Sequence, residues 1–407
     1  MNQARYVIFG GGMVAGYAAT EMVDAGLKAG ELAILSADTS VPYERPPLSK
    51  GFLAGKDTEE AVRIQPEEFY RNQGIELKLG VEVTAVDTAR RRLILKSGGE
   101  FAFEKLVIAT GARPRTLEIP GAQLRHVHYL RSLDDSKAIR TSAKSVRHAV
   151  VIGGGFIAME VASVLAQMRI EATIVLREDR IWKQFFTPEM SAYFEKYYLA
   201  HGVGFVKNAE VSELRGNGTV RETVLRDGRT LPCAMVVAGI GAIPATGMLA
   251  ASGLEVADGV TVNEYLETNQ PGVYAAGDVA NYQDVLFEKR RRVEHWDNAV
   301  SQGRYCAHAL MGERAPFRHV PYFFSDIFDL SYEYWGDSSG ADEVIYRGDL
   351  DTGSFSTWWL RQRRVVAAFA MNRPTDEREA APRWIEDRQT VSGDKLKHAG
   401  SLPEVLS

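Results

Sequence analysis

A strand, a glycine-rich turn and a helix follow one another twice in this 407-residue chain, and that repetition narrows the fold more than any other feature. The first copy runs Tyr6-Val7-Ile8-Phe9, then Gly10-Gly11-Gly12, then an Ala- and Met-rich stretch from about Val14 to Ala25. Gly26 is its stop signal, and Glu31-Leu32-Ala33-Ile34-Leu35 is the next strand. The second copy opens on Ala149-Val150-Val151-Ile152 and turns at Gly153-Gly154-Gly155. It predicts a helix over Phe156 to Met168 and closes on Ala172 to Leu176. Each copy reads as a βαβ unit. The glycines permit a tight turn and close approach of backbone to a pyrophosphate. The helix start offers free N–H groups and the positive end of its dipole. Two such units point to two nucleotides.

The first fingerprint is Gly10-x-Gly12-x-x-Ala15-Gly16, and Asp38, just past the second strand, is the candidate for a ribose hydroxyl contact. The second is Gly153-x-Gly155-x-x-Ala158, with Ile157 inside it and Glu178 beyond the following strand. An acid at that place hydrogen-bonds the adenosine ribose and repels a 2′-phosphate, which favours NADH. Arg177 and Arg180 argue the other way, because guanidinium groups suit a 2′-phosphate, so NADPH stays open. Three further apolar strands end in glycine: Leu106 to Ala109 before Thr110-Gly111, Ala234 to Ala238 before Gly239-Ile240-Gly241, and Val273 to Ala276 before Gly277-Asp278. An Asp opening a helix accepts bonds from flavin ribitol hydroxyls while its backbone faces the pyrophosphate. The order of glycine fingerprint, ATG, glycine fingerprint and GD is far more specific than any one of its parts.

Composition sets outer bounds. The length suggests two or three domains. A net charge of −5 argues against a general nucleic-acid binder. No apolar run approaches the roughly 20 residues of a bilayer span, and the start lacks the basic region and cleavage site of a secretory leader. The expectation is a cytoplasmic protein that engages no membrane. The two cysteines, Cys233 and Cys306, form no CxxC or CxxxxC pair, so a local dithiol relay is not expected. No metal site is expected either, and the sequence leaves oligomeric state open.

The order of motifs resembles the two-dinucleotide-fold FAD/NAD(P)H reductases across essentially the whole chain. Pro42-Tyr43-Glu44-Arg45-Pro46-Pro47-Leu48-Ser49-Lys50 narrows the resemblance to the branch of ferredoxin reductases, apoptosis-inducing factor and monodehydroascorbate reductase. Gly30 to Ala33, Phe194 to Tyr198, Arg291 to His295 and Phe328 to Ser331 are most similar to plant-type monodehydroascorbate reductase. The resemblance implies an α/β fold with two Rossmann-like domains and a C-terminal α+β interface domain carrying an antiparallel sheet. The FAD-binding domain would be discontinuous, residues 1–115 and 243–315. The NAD(P)H-binding domain would be 116–242 and the interface domain 316–407.

The resemblance also implies roles. Arg45, Pro46 and Lys50 would flank the flavin, with Lys50 near its reactive N5 and paired with Glu160, one turn into the second glycine-turn helix. A buried cation there suits reduced flavin, and the pairing avoids a lone buried charge. Val83, Arg113, Glu294, His295 and Trp296 would complete the FAD side, and Gly241 the NAD side. Lys50, Glu160 and His295 are the candidate catalytic residues. Where plant-type enzymes carry an Arg and a Tyr for the anionic radical, this chain has Val300 and Phe324. The stretch Gly51 to Gln65 is too short for their inserted loop. Asp297-Asn298-Ala299 and Phe324-Ser325-Asp326 look more like ferredoxin reductases. The expected activity is hydride transfer from NADH to FAD, then single electrons to a small one-electron acceptor. The alternative is an iron–sulfur ferredoxin docked on Lys289-Arg290-Arg291-Arg292. A third reading is an NADH-responsive interaction protein resembling apoptosis-inducing factor.

Overall fold

The computed structural model describes residues 2–406, in two units. Within those residues the first is assembled from 2–45, Glu59–Arg113 and Ile243–Tyr322, the second from Pro46–Thr58, Pro114–Ala242 and 323–406.

In the first unit, the parallel strands Glu76–Lys78, Leu32–Leu35, Gln3–Phe9 and Glu100–Ile108 lie side by side in that order, and Val273–Ala275 pairs with the last of them. Arg92–Leu95 and Val83–Asp87 continue the sheet as antiparallel strands. A parallel strand covered on both faces reads as an unbroken apolar run. Leu32–Leu35 is buried at every position, as are the last four residues of Gln3–Phe9. Phe9 pairs with Leu35 and Ile108, so the turn at Gly10 leaves the carboxyl edge of the sheet, where open α/β sheets bind ligands. The helix Met13–Asp24 follows, and Trp296–Met311 crosses it. Gly303 permits the close crossing, because a Cβ there would stand 2.8 Å from the Val14 carbonyl oxygen.

The second unit repeats the design. Val203–Val206, Glu171–Val175, His148–Ile152, Met235–Ala238 and Val127–His128 form a five-stranded parallel sheet in that order. Ile152 pairs with Val175 and Ala238, so Gly153 also starts at the carboxyl edge. The helix Phe156–Gln167 covers the sheet with a run from Ala158 to Leu165 that is buried at every position. After Tyr322 the chain builds an antiparallel sheet in the order Tyr322–Ile327, Leu330–Gly336, Arg364–Met371, Ser354–Arg361, Glu343–Asp349. The helices Thr375–Glu386 and Gly393–His398 follow. Arg347 and Glu377, both buried, form a 3.1 Å ion pair there.

Candidate active site

Gly10 has φ +122°, a region that penalises side chains, and any Cβ would collide with the Ala109 carbonyl. Gly12 then caps the helix Met13–Asp24 without a side-chain bond, and the space where its Cβ would stand is open. The first helical N–H groups are therefore presented to a cradle with room for phosphates. Ala15 and Gly16 are buried in the same turn. Thr110 donates to the Ala245 carbonyl at 2.8 Å and Gly111 has φ +67°. Asp278 lies in the short turn Gly277–Val279, which is fixed by a 2.7 Å bond from the Gly277 N–H to Gln302 Oε1. Gln302 Nε2 and Asn298 Oδ1 are fully buried with no partner, as a polar group with an absent ligand would be. Cradle, open helix end and orphaned amides fit a flavin dinucleotide.

Asp38 is already engaged. Its Oδ1 accepts the Ser40 N–H at 3.0 Å and its Oδ2 accepts the Tyr43 hydroxyl at 2.9 Å. Arg45 Nη1 in turn donates to the Tyr43 hydroxyl at 2.8 Å, with its guanidinium carbon 4.5 Å from the ring centre. The carboxylate keeps lone pairs for a ribose, and Tyr43 orients both residues. Val83 is buried in Val83–Asp87 and Arg113 is exposed. Glu294 is paired with Arg292. His295 precedes the helix Trp296–Met311, and burial pushes it down to about 4 against the pull of Asp278 and Asp297, although part of its surface stays open. It is neutral near pH 7. Trp296 Nε1 donates to Glu44 Oε2 at 2.5 Å, and the Tyr17 hydroxyl donates to the other oxygen of Glu44.

The second cradle lies in the second unit. Gly153 also has φ +122°, with the Gly239 carbonyl where its Cβ would be. Gly155 begins the helix with open space at its own Cβ and no side-chain cap. Ala158 sits close under Gly239, Gly241 has φ +103°, and Ile157 is 42% exposed, a large apolar side chain left facing solvent in the first turn. Glu178 is exposed, and its carboxylate has no ion-pair partner among the described residues. Arg177 is held by Glu210 at 2.8 Å, and the same oxygen takes Arg226 at 3.0 Å.

Lys50 and Glu160 also belong to the second unit. Lys50 Nζ lies 2.7 Å from Glu160 Oε1, with Lys50 mostly covered and Glu160 buried. Ser325 Oγ donates to the same oxygen at 2.6 Å and Ser49 Oγ donates to Oε2. Pro46 opens the short turn Pro46–Ser49 that carries Ser49 to this place.

The structure adds the surroundings of three further features of the sequence. Two arginines of the basic run at 289–292 are ion-paired, and Arg290 is exposed. Arg290 donates to the carbonyls of Val262 and Asn281, Arg291 pairs with buried Asp284 at 2.8 Å, and Arg292 pairs with Asp258 and Glu294. Val300 is 5% exposed in the core of the first unit, where no anion could reach it. Phe324 offers its ring to Lys50, Nζ lying 5.7 Å from the ring centre. Glu44, Tyr43, Gln302, Ser49 and Ser325 were not foreseen as site residues. Glu44, Tyr43 and Ser49 stand inside the Pro42–Lys50 motif, which was the one available signal.

Comparison with known proteins agrees with this architecture. A family profile described as pyridine nucleotide-disulphide oxidoreductase matches residues 4–303, and one described as reductase C-terminal matches 322–402. The chain is 36% identical over 413 residues to the peroxisomal monodehydroascorbate reductase 4 of Arabidopsis thaliana, covering 96% of this chain and 83% of that protein. It is 37% identical to the 5,5′-dehydrodivanillate O-demethylase ferredoxin reductase subunit of a Sphingobium strain, covering 91% and 90%. Among solved structures, the covalent putidaredoxin reductase–putidaredoxin complex aligns with TM-score 0.94 at 32% identity over 99% of this chain and 98% of that one. The ferredoxin reductase of the CYP199A2 system from Rhodopseudomonas palustris aligns with TM-score 0.92 at 33% identity over 98% of each. Both cysteines of this chain are free and buried. The chain belongs to the pyridine nucleotide-disulphide oxidoreductase family and is an FAD-dependent NAD(P)H oxidoreductase with a reductase-type C-terminal domain.

Proposed function

We propose that this protein takes a hydride from NADH and passes single electrons to a small one-electron acceptor, in the manner of its monodehydroascorbate reductase relatives. FAD, when bound, supplies the conversion of an electron pair into single electrons. The fingerprint turns at Gly10–Gly12 and Gly153–Gly155 would hold the pyrophosphates of FAD and NADH on their helix ends. Glu178 would take the adenosine ribose, with Arg177 held away from a 2′-phosphate by Glu210. Asp38 and Asp278 would hold FAD hydroxyls, and Arg45, Arg113, Glu294 and Trp296 would border that cofactor. Lys50, Glu160 and neutral His295 would serve the reacting end.

The observation that carries the acceptor reading is the ion pairing of Arg291 and Arg292 within the basic run. An acidic protein partner is steered by an exposed positive face, and Arg291 and Arg292, each with a 12% exposed side chain, are paired with carboxylates of the chain, which leaves Arg290 as the exposed arginine of the run. Since Val300 and Phe324 supply no cation, the small acceptor would be held without one from those positions. A second reading, reduction of an iron–sulfur ferredoxin, is favoured by the likeness to the putidaredoxin reductase complex over nearly the whole chain. An acceptor screen decides between them: NADH and NADPH in parallel against ascorbyl radical, several ferredoxins and quinones. The proposal expects NADH oxidation with a small acceptor. Turnover with a ferredoxin alone would replace it by the second reading, and faster oxidation of NADPH would overturn the role given to Glu178.

A further inference from the structure

We propose that Ser325 and Ser49 are positioning residues that clamp Glu160 from both sides and thereby fix where the Lys50 ammonium stands. The inference rests on the reading that Lys50 serves the bound FAD. Glu160 is 4% exposed on the helix Phe156–Gln167, a place where a carboxylate is tolerated only if its oxygens are occupied. Lys50 alone would leave one oxygen bare. Ser325 shares Oε1 with Lys50, at 2.6 Å and 2.7 Å, and Ser49 takes Oε2. Ser49 has a second acceptor in the Pro46 carbonyl at 3.3 Å, and the contact to Glu160 is the closer of the two.

The clamp joins three separate stretches of chain. Ser49 ends the short turn before Lys50, Glu160 lies on the helix that begins at the second glycine turn, and Ser325 lies on the strand Tyr322–Ile327. That strand touches the pair twice, through the Ser325 hydroxyl and through the Phe324 ring beside Lys50. A further contact holds it in register, the Phe328 N–H donating to Ser163 Oγ at 2.9 Å, one turn along the helix from Glu160. A lysine has four rotatable stem bonds and a point charge, so an ion pair by itself places its ammonium loosely. With both carboxylate oxygens pinned, the ammonium has one favourable position, and the strand that carries Ser325 belongs to the C-terminal sheet. That sheet is thus wired to the charge that Lys50 presents.

The test is the reduction potential of the flavin in purified holoprotein, read at equilibrium with a redox dye. It is measured for the wild type, Ser325→Ala, Ser49→Ala, Lys50→Gln and the two double variants. Loss of the Lys50 cation is expected to make the flavin harder to reduce. Ser325→Ala and Ser49→Ala are expected to move the reduced-to-oxidised ratio at fixed dye potential the same way, by roughly fivefold, the size of one net hydrogen bond. Each is expected to have no further effect once Lys50 is Gln, since the hydroxyls act through that residue. Serine variants that keep the wild-type potential, or that shift it equally in the Lys50→Gln background, would overturn the clamp. An unchanged potential in Lys50→Gln would overturn the reading of Lys50 itself, and the clamp with it. If Ser325→Ala does not fold, Ser49→Ala carries the same comparison from the other oxygen.

Discussion

Glu178 and Glu44 show two ways in which one carboxylate gives a residue its meaning. Glu178 stands exposed without an ion-pair partner while the arginine before it is spent on Glu210. Glu178→Ala is expected to raise KM for NADH about tenfold with little change in kcat, since a ribose contact made equally in ground and transition states is uniform binding. Steady-state kinetics checks this, and a fall in kcat alone would count against it. Glu44 accepts from both Tyr17 and Trp296. Glu44→Ala is expected to cost about 2 kcal/mol in denaturant unfolding and to shift tryptophan emission as the indole loses its acceptor. The proposal for Glu178 could be drawn from the sequence because its place follows from a local count beyond a strand. The sequence could not show the bond from Trp296 to Glu44, which joins residues far apart in the chain. For the same reason the ion pairs inside the run at 289–292 were out of reach: charge is visible in a sequence, but the partnership with Asp284 and Asp258 is not.

The elements were legible wherever local chemistry forces them. Three glycines between an apolar strand and an apolar helix leave one backbone solution, and both copies adopt φ +122° at the first glycine. The structure starts each glycine-turn helix within a residue of the expected place. What the pattern could not give was order within the sheets, because sheet order is set by partners distant in sequence. The glycine turns supply a paired test. Gly10→Ala and Gly153→Ala each place a Cβ on a neighbouring carbonyl at positive φ, and each is expected to destabilise its own unit by more than about 2 kcal/mol. Gly10→Ala is expected to lose flavin absorbance on purification. Gly153→Ala is expected to keep the flavin but lose its bleaching by NADH. Identical defects in both variants would mean that the two cradles are not separate sites.

At the scale of the whole molecule, pH acts through histidines kept neutral by burial. His128 and His295 are each pushed down to about 4 from an ordinary value near 6.5, desolvation being the leading cause. A base whose folded value is depressed adds stability that is fully present above its unfolded value and lost as pH falls toward the folded one. Thermal unfolding is therefore expected to worsen between pH 6.5 and 4, and His128→Asn is expected to flatten that decline. The same decline in wild type and variant would assign it elsewhere. The division of the chain has a consequence in time. The first unit needs Ile243–Tyr322, which includes the strand Val273–Ala275 and the helix Trp296–Met311, yet its opening strands are made first. At roughly 5–20 residues per second, the ribosome spends on the order of ten seconds making the stretch between Arg113 and Ile243. Throughout that interval the carboxyl edge around Gly10 lacks Gly277, Asp278 and Gln302. The first unit can therefore close only late in synthesis, once Ile243–Tyr322 has been made.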